Sequence, residues 1–158
     1  MRILFVCMGN ICRSPSAEGV FRRVLLQRAP DAAVEVDSAG THDYHVGEPP
    51  DRRAIAAAHR RGIDLTGLRA RLIEARDFAT FDLIVAMDEQ NVHELRARAA
   101  SDAHAQIRSM MDYAPQSASR AIPDPYYGGA DGFEEVLDLL EEASEGLLQE
   151  VLGQRVRP

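Results

Sequence analysis

Ile3-Leu4-Phe5-Val6-Cys7-Met8-Gly9-Asn10-Ile11-Cys12-Arg13-Ser14-Pro15 decides how this chain is read. The apolar run predicts a short buried strand over about Arg2 to Val6. Ser14-Pro15 reads as a helix start, with Ser14 as N-cap and Pro15 at the first helical position. A tight loop must then join strand to helix. Such a junction aims backbone N–H groups and the positive end of a helix dipole at one point, which suits an anion.

The loop carries chemistry to match. A thiol is nucleophilic as thiolate, a form favoured by a helix N-terminus and a nearby cation, and Cys7 is placed for both. Arg13 follows after five intervening residues, with a planar fork suited to two oxygens of a phosphoryl group. Gly9 is expected to supply backbone geometry that a Cβ would forbid. The loop would then wrap a tetrahedral oxyanion, with Cys7 beneath the phosphorus. Arg13 and the amides of Met8, Gly9, Asn10, Ile11, Cys12, Arg13 and Ser14 would hold the oxygens where charge accumulates. A Walker A loop is excluded, because no G-x-x-x-x-G-K-[ST] is present. Ser14 has two compatible readings, as helix cap and as hydroxyl donor to the Cys7 thiolate.

These residues resemble the signature loop of the low-molecular-weight protein tyrosine phosphatases. The resemblance continues through Ser38-Ala39-Gly40, Val46-Gly47, Phe81-Asp82, Met87-Asp88 and Asp124-Pro125-Tyr126-Tyr127, in the family's order over nearly the whole chain. It implies a four-stranded parallel sheet in the order 2-1-3-4. It implies phosphotyrosine-containing protein substrates, inhibition by phosphate and other oxyanions, and neither metal nor cofactor. Ser38 has two readings, a buttress of the loop, as the same resemblance implies, or a turn residue alone, and Tyr44 likewise stands either beside the pocket or on open surface. Two departures stand out. Leu68 occupies the position where relatives carry a His that orients the loop, and Leu72 stands where Gln is usual, which puts part of the supporting network in doubt.

Ester cleavage needs a proton for the leaving oxygen. The candidate is Asp124, in Ile122-Pro123-Asp124-Pro125-Tyr126-Tyr127-Gly128-Gly129, an exposed turn-rich loop. On the loop alone, an Asp in a proline turn is the simpler reading. The match to the family's Asp-Pro-Tyr-Tyr, taken with the Cys7 loop, makes Asp124 the general acid and then the general base. Tyr126 and Tyr127, with Ile11, would wall a slot for a flat aromatic ring. The same tyrosines are also candidates for phosphorylation.

Composition sets the class. The 158 residues fit one domain, residues 1–158, with 46% hydrophobic content. A net charge of −7 opposes general nucleic-acid binding, though a local site can still hold an anion. All 18 basic residues are arginine. Two Cys do not make a disulfide scaffold, and the run Ile3 to Val6 is too short for a signal h-region or a membrane span. The expectation is a cytoplasmic monomer without membrane contact, with export by a signal-free route left open. His42, His45, His59, His93 and His104 show no metal-ligand spacing and read as scattered surface residues.

Along the rest of the chain, Ala17, Val20, Phe21, Val24 and Leu25 mark the buried stripe of a helix ending near Ala29-Pro30. Ala33 to Asp37 alternates as a second strand, after which Ser38 to Thr41 should turn away. A helix runs from Pro49-Pro50-Asp51 to His59 or Arg61, stopped by Gly62, and Leu65 to Leu72 reads as loop. Phe81 to Met87 is a strand buried on both faces. Asp88 caps a helix to about Arg98, and is read as a cap and not as a catalyst. Gln106 to Met110 is a weaker strand. A last helix runs from about Asp131 to Leu152, with Phe133, Val136, Leu137, Leu140, Leu147, Leu148 and Val151 inward and its Glu residues as a solvated face. The alternation is that of an α/β three-layer fold with helices on both sheet faces.

Two other activities share this fold. A thiol-dependent arsenate reductase needs further Cys residues to relay a disulfide, and this chain has none beyond Cys12. A protein-arginine phosphatase tends to carry Thr where Ile11 stands. A non-catalytic phosphotyrosine binder is a third class, which Cys7, Arg13 and Asp124 together oppose. Cys12 itself is either packing at the loop base or a redox partner that rescues oxidised Cys7, and relatives with both Cys recover from oxidation.

Overall fold

A computed structural model describes residues 1–156, with side chains described through Gly153; of the expected span 1–158, residues 157 and 158 lie outside the described residues. The strands are β1 (Arg2–Cys7), β2 (Glu35–Gly40), β3 (Leu83–Ala86) and β4 (Gln106–Ser109). The helices are α1 (Arg13–Arg28), α2 (Arg52–Arg60), α3 (Asp77–Thr80), α4 (Glu89–Arg98) and α5 (Ala130–Val156), with a 3₁₀ turn at Met110–Tyr113.

All pairings are parallel, and the sheet order is β2-β1-β3-β4, as the resemblance implied. Strand alternation sends Ile3, Phe5, Leu83 and Val85 to a core shared with α1, α2 and α5. It sends Leu4, Val6, Ile84 and Ala86 to a second core with Phe78 of α3 and Val92 and Leu95 of α4. The sheet is therefore a middle layer, apolar on both faces because both are covered. The winding reverses between β1 and β3. At such a switch point the loops after the two strands part and leave a crevice beyond their carboxyl ends. Cys7 ends β1 at that point.

The inward stripe expected of α1 is buried throughout, as is that of α5. Four boundaries differ. β2 does not stop at Asp37, because Phe5 pairs with Ser38, Val6 with Ala39 and Cys7 with Gly40. Gly40 lets β2 pass close beneath the next loop: a Cβ there would lie 2.7 Å from the Met8 carbonyl oxygen. α3 falls between the loop ending at Leu72 and the strand expected from Phe81, and at four residues it is too short to show a period. β3 is confined to Leu83–Ala86, and Met110 leaves β4 for the 3₁₀ turn.

The Glu face of α5 is more than solvated. Glu134 pairs with Arg60 and Arg61, Glu141 with Arg23 and Arg61, and Glu145 with Arg28. These arginines flank the apolar seams of α1 and α2, so the packing of α5 brings opposite charges together. No helix among the described residues is long and apolar enough to cross a membrane.

Candidate active site

The loop leaving β1 is sewn to its neighbours by backbone bonds. Thr41 N–H donates to the Cys7 carbonyl at 3.0 Å, His42 N–H to that of Met8 at 3.0 Å, and Asp51 N–H to that of Ile11 at 2.8 Å. Carbonyls turned outward leave amides free to turn inward. The turn itself is made by Asn10, the one non-glycine residue with positive φ (57°) among those described. Asn tolerates this region because its short polar side chain can bond locally. Gly9 was expected to carry the unusual geometry. Its φ is not positive; a Cβ there would lie 3.2 Å from His45 Cδ2, so its smallness answers to a neighbouring ring.

The Asn10 side chain is 2% exposed in its residue and fully engaged. Its Oδ1 accepts from Arg71 N–H at 3.0 Å, and its Nδ2 donates to Ser14 Oγ at 2.8 Å and Ser38 Oγ at 3.0 Å. Ser38 Oγ in turn donates to Glu18 Oε1 at 2.8 Å. Burial pushes the Glu18 carboxyl up from its ordinary value, opposed by the Ser38 hydrogen bond and by Arg22. Ser14 is not the helix cap. α1 begins at Arg13 after Cys12, with no side-chain cap, and Ser14 lies inside the first turn. Its Oγ is 3.1 Å from Cys7 Sγ. With Asn10 donating to that oxygen, the hydroxyl hydrogen has two acceptors within reach, the Cys7 sulfur and, at 3.4 Å, the Ala39 carbonyl oxygen.

Arg13 is 3% exposed. Its NH1 donates to Asp88 Oδ2 and, at 3.1 Å, to the Ile122 carbonyl. Burial disfavours its charge, yet Cys7 and Asp88 outweigh burial and raise its pKa. Both NH1 hydrogens are thereby committed, and Nε and NH2 remain for an oxyanion. Asp88 is the cap expected, accepting from Asn91 N–H at 2.8 Å, and its second oxygen also aims Arg13. The cap signal concealed that second role, which joins residues far apart in sequence.

Asp124 comes from the loop before α5. Its Oδ1 accepts from Tyr126 N–H at 3.1 Å, and its Oδ2 lies 3.8 Å from Arg13 NH2. One cavity is lined by Cys7, Met8, Gly9, Ile11, Cys12 and Arg13 from the first loop, and by Tyr44, His45, Asp124, Tyr126 and Tyr127 from the rim. Asn10 and Ser14 stand behind the loop and do not line it. The rim rings touch in series: His42 stacks on Tyr44 (5.4 Å), His45 tilts against Tyr126 (6.2 Å), and Tyr126 meets Tyr127 edge-on (4.9 Å). His45, read as a surface residue, is thus a wall of the cavity, held by Glu48. His42 likewise bonds Thr41, and His104 bonds Asp82. Cys7 and Cys12 are both buried free thiols, and burial, then the Asp51 carboxylate, pushes the Cys12 thiol up. Among the described residues no group of three or more His, Cys, Asp or Glu is placed to hold a metal ion.

The family model described as low molecular weight phosphotyrosine protein phosphatase matches residues 2–157. The chain belongs to that family. It is 44% identical to a low molecular weight protein-tyrosine-phosphatase of Streptomyces coelicolor, over 97% of this chain and 94% of the relative. A protein tyrosine phosphatase of Entamoeba histolytica, solved with Hepes in its active site, superposes with a TM-score of 0.93 at 38% identity, covering 99% of both chains. An arginine phosphatase of Drosophila also superposes, with a TM-score of 0.88 at 34% identity over 95% of this chain and 97% of that one. Members of this family are hydrolases, protein phosphatases of low molecular weight.

Within this phosphatase family the two departures at Leu68 and Leu72 now have a geometric answer. Leu68 packs against the apolar core. The Asn10 carbonyl is held instead by a main-chain donor, Arg71 N–H, fixed where Leu72 bridges Gly40. A backbone amide does not titrate, so this loop support does not depend on an imidazole.

Removing the Asn10 side chain should therefore loosen the loop. Asn10→Gly, which keeps positive φ accessible, is expected to lower stability by about 1–3 kcal/mol through the orphaned partners and to weaken competitive inhibition by inorganic phosphate. Urea denaturation and inhibition kinetics check this. Unchanged values in both would show that the network is dispensable.

Proposed function

We propose that residues 1–158 form one phosphatase domain that hydrolyses phosphotyrosine in proteins, and small aryl phosphates, through a phosphocysteine intermediate. One observation carries the reading: Cys7 and Arg13 from one loop, and Asp124 from a distant stretch of chain, line a single cavity whose rim is aromatic. In the first step the Cys7 thiolate attacks phosphorus in line. An S–P bond forms, the P–O bond to the phenol breaks, and Asp124 gives its proton to the leaving oxygen. Arg13 and the loop amides hold the transferring group as its charge spreads over the equatorial oxygens. In the second step Asp124, now a carboxylate, takes a proton from water as water attacks phosphorus. Phosphate leaves, and the thiolate and the protonated Asp124 are restored.

Ile11, Tyr126 and Tyr127 favour a flat phenyl group at the end of a deep approach. The likeness to an arginine phosphatase supports a second reading, phosphoarginine as substrate. The bulk of Ile11 in the cavity wall weighs toward phosphotyrosine. Side-by-side assays with phosphotyrosyl, phosphoseryl and phosphoarginyl peptides should give the highest kcat/KM on phosphotyrosine. Comparable efficiency on phosphoserine would reject the slot, and a preference for phosphoarginine would move the assignment to the second reading. Cys7→Ser should abolish turnover yet still bind phosphate. Asp124→Asn should lower kcat/KM on phenyl phosphate by about 100- to 10,000-fold and spare substrates with activated leaving groups. An equal, small effect on both would return Asp124 to the role of a turn residue.

Cys12 belongs to the same proposal as a redox partner. Peroxide takes the Cys7 thiolate to a sulfenic acid, and the Cys12 sulfur then displaces water to form a disulfide that external thiol reduces. Mass spectrometry of peroxide-treated protein should find the Cys7–Cys12 bond, and Cys12→Ser should lose recovery by thiol. Full recovery of that variant would make Cys12 packing alone.

A further inference from the structure

Asp124 sits on a loop with few anchors. On its upstream side Ile122 is fully buried, and its N–H donates to the Met87 carbonyl at 2.8 Å. Downstream, Pro125 is buried, but residues 126–131 are exposed. The loop's own main-chain bonds, Gly128 N–H to Pro125 O and Gly132 N–H to Gly129 O, tie it only to itself. Nothing in those bonds sets how far the Asp124 carboxyl stands from the thiol.

Arg53, in the first turn of α2, supplies the missing tie. Its NH2 donates to the Tyr126 carbonyl at 2.8 Å and its NH1 to the Gly128 carbonyl at 3.1 Å. The guanidinium lies over the Phe133 ring at 4.7 Å and the Tyr126 ring at 5.9 Å. Its other edge is taken by Asp51, with Nε on Oδ1 at 3.1 Å and NH2 on Oδ2 at 3.0 Å. Asp51 is itself fixed: it caps α2 through Arg53 N–H, and its own N–H donates to the Ile11 carbonyl in the phosphate-binding loop. One planar group therefore joins the loop that holds the phosphoryl group to the loop that holds the acid. A lone exposed Arg–Asp pair would be worth little. Four directed bonds and two ring faces on one rigid fork are a different matter, and an ammonium cannot reproduce them.

We propose that Arg53 is a positioning residue for the phosphatase reaction, setting the reach of Asp124 to the leaving oxygen by clamping the Asp124 loop to the phosphate-binding loop. Arg53 does not line the cavity. The inference rests on Asp124 as general acid. It predicts that the acid is lost by degrees when the clamp is weakened, whereas the phosphate-binding loop, held by Asn10 and the β2 backbone, is not.

The test is kcat/KM for phenyl phosphate and for 4-nitrophenyl phosphate in wild type, Arg53→Lys, Arg53→Ala, Asp124→Asn and the double variant Arg53→Ala/Asp124→Asn. A displacement of the acid on the order of 1 Å corresponds to losses of up to about 100-fold. Arg53→Ala should thus lose about 10- to 100-fold on phenyl phosphate and much less on 4-nitrophenyl phosphate, with Arg53→Lys between it and wild type. Competitive inhibition by inorganic phosphate should be kept. In the Asp124→Asn background the Arg53 substitution should add little, because the group it positions is gone. Equal losses on both esters, or full additivity in the double variant, would overturn the proposal and leave Arg53 as structural support. Should Arg53→Ala fail to fold, the ratio of the two esters in Arg53→Lys decides between the same outcomes. If Asp124→Asn itself shows no dependence on the leaving group, the general-acid reading fails first, and the positioning role falls with it.

Discussion

The buried side chain of Asn10 is the constraint on which the rest of the site depends. A loop that offers its amides to an anion must turn its carbonyls elsewhere and must somewhere adopt a conformation most residues avoid. Asn10 meets both needs, taking positive φ and using both ends of its amide. Its reach extends to Ser14 on α1, to Ser38 on β2 and to the backbone at Arg71. The conformation of the loop is thus written into three separate elements. No part of it can shift without breaking a hydrogen bond that burial makes expensive to lose.

The parallel sheet explains why those elements are available. Every strand points its carboxyl end the same way, so the loops that follow β1, β2 and β3 gather at one edge. Cys7 and Arg13 come from the first, Tyr44 and His45 from the second, and Asp88 from the third. Asp124 arrives from the segment beyond the 3₁₀ turn. Charge follows the same convergence. Arg13 is buried in a protein of net charge −7, and it stays charged because Asp88 and Cys7 face it.

What the sequence made legible was what is local. The Cys7 loop, the stripes of α1 and α5, the Asp88 cap and the sheet order through resemblance all rest on short spacings or on a matched motif. The reading failed where the partner lies far along the chain. At Ser14 the adjacent cap signal is not realised, and of the partners that claim its hydroxyl in space the Cys7 thiol was legible from the loop chemistry whereas Asn10 was not. β2 was ended at Asp37 because Ser-Ala-Gly resembles a turn, while pairing with β1 holds those residues extended. Asp88 as partner of Arg13, Glu18 behind Ser38, and Arg53 across to the loop after Asp124 leave no periodic trace. Charged residues on helices are common, and nothing in their spacing says which one will be folded against a carbonyl.

The placement of α5 gives the chain a temporal property. A ribosome makes Cys7, Arg13 and α1 before it makes Asp124 and α5. The Asp124 loop comes well after them, followed by α5, whose apolar face shares a core with α1. A nascent chain thus carries the Cys7 thiol, not yet covered by α5, long before it carries Asp124. The cavity that Cys7, Arg13 and Asp124 line together is whole only once the later loop has been made and folded against the earlier one.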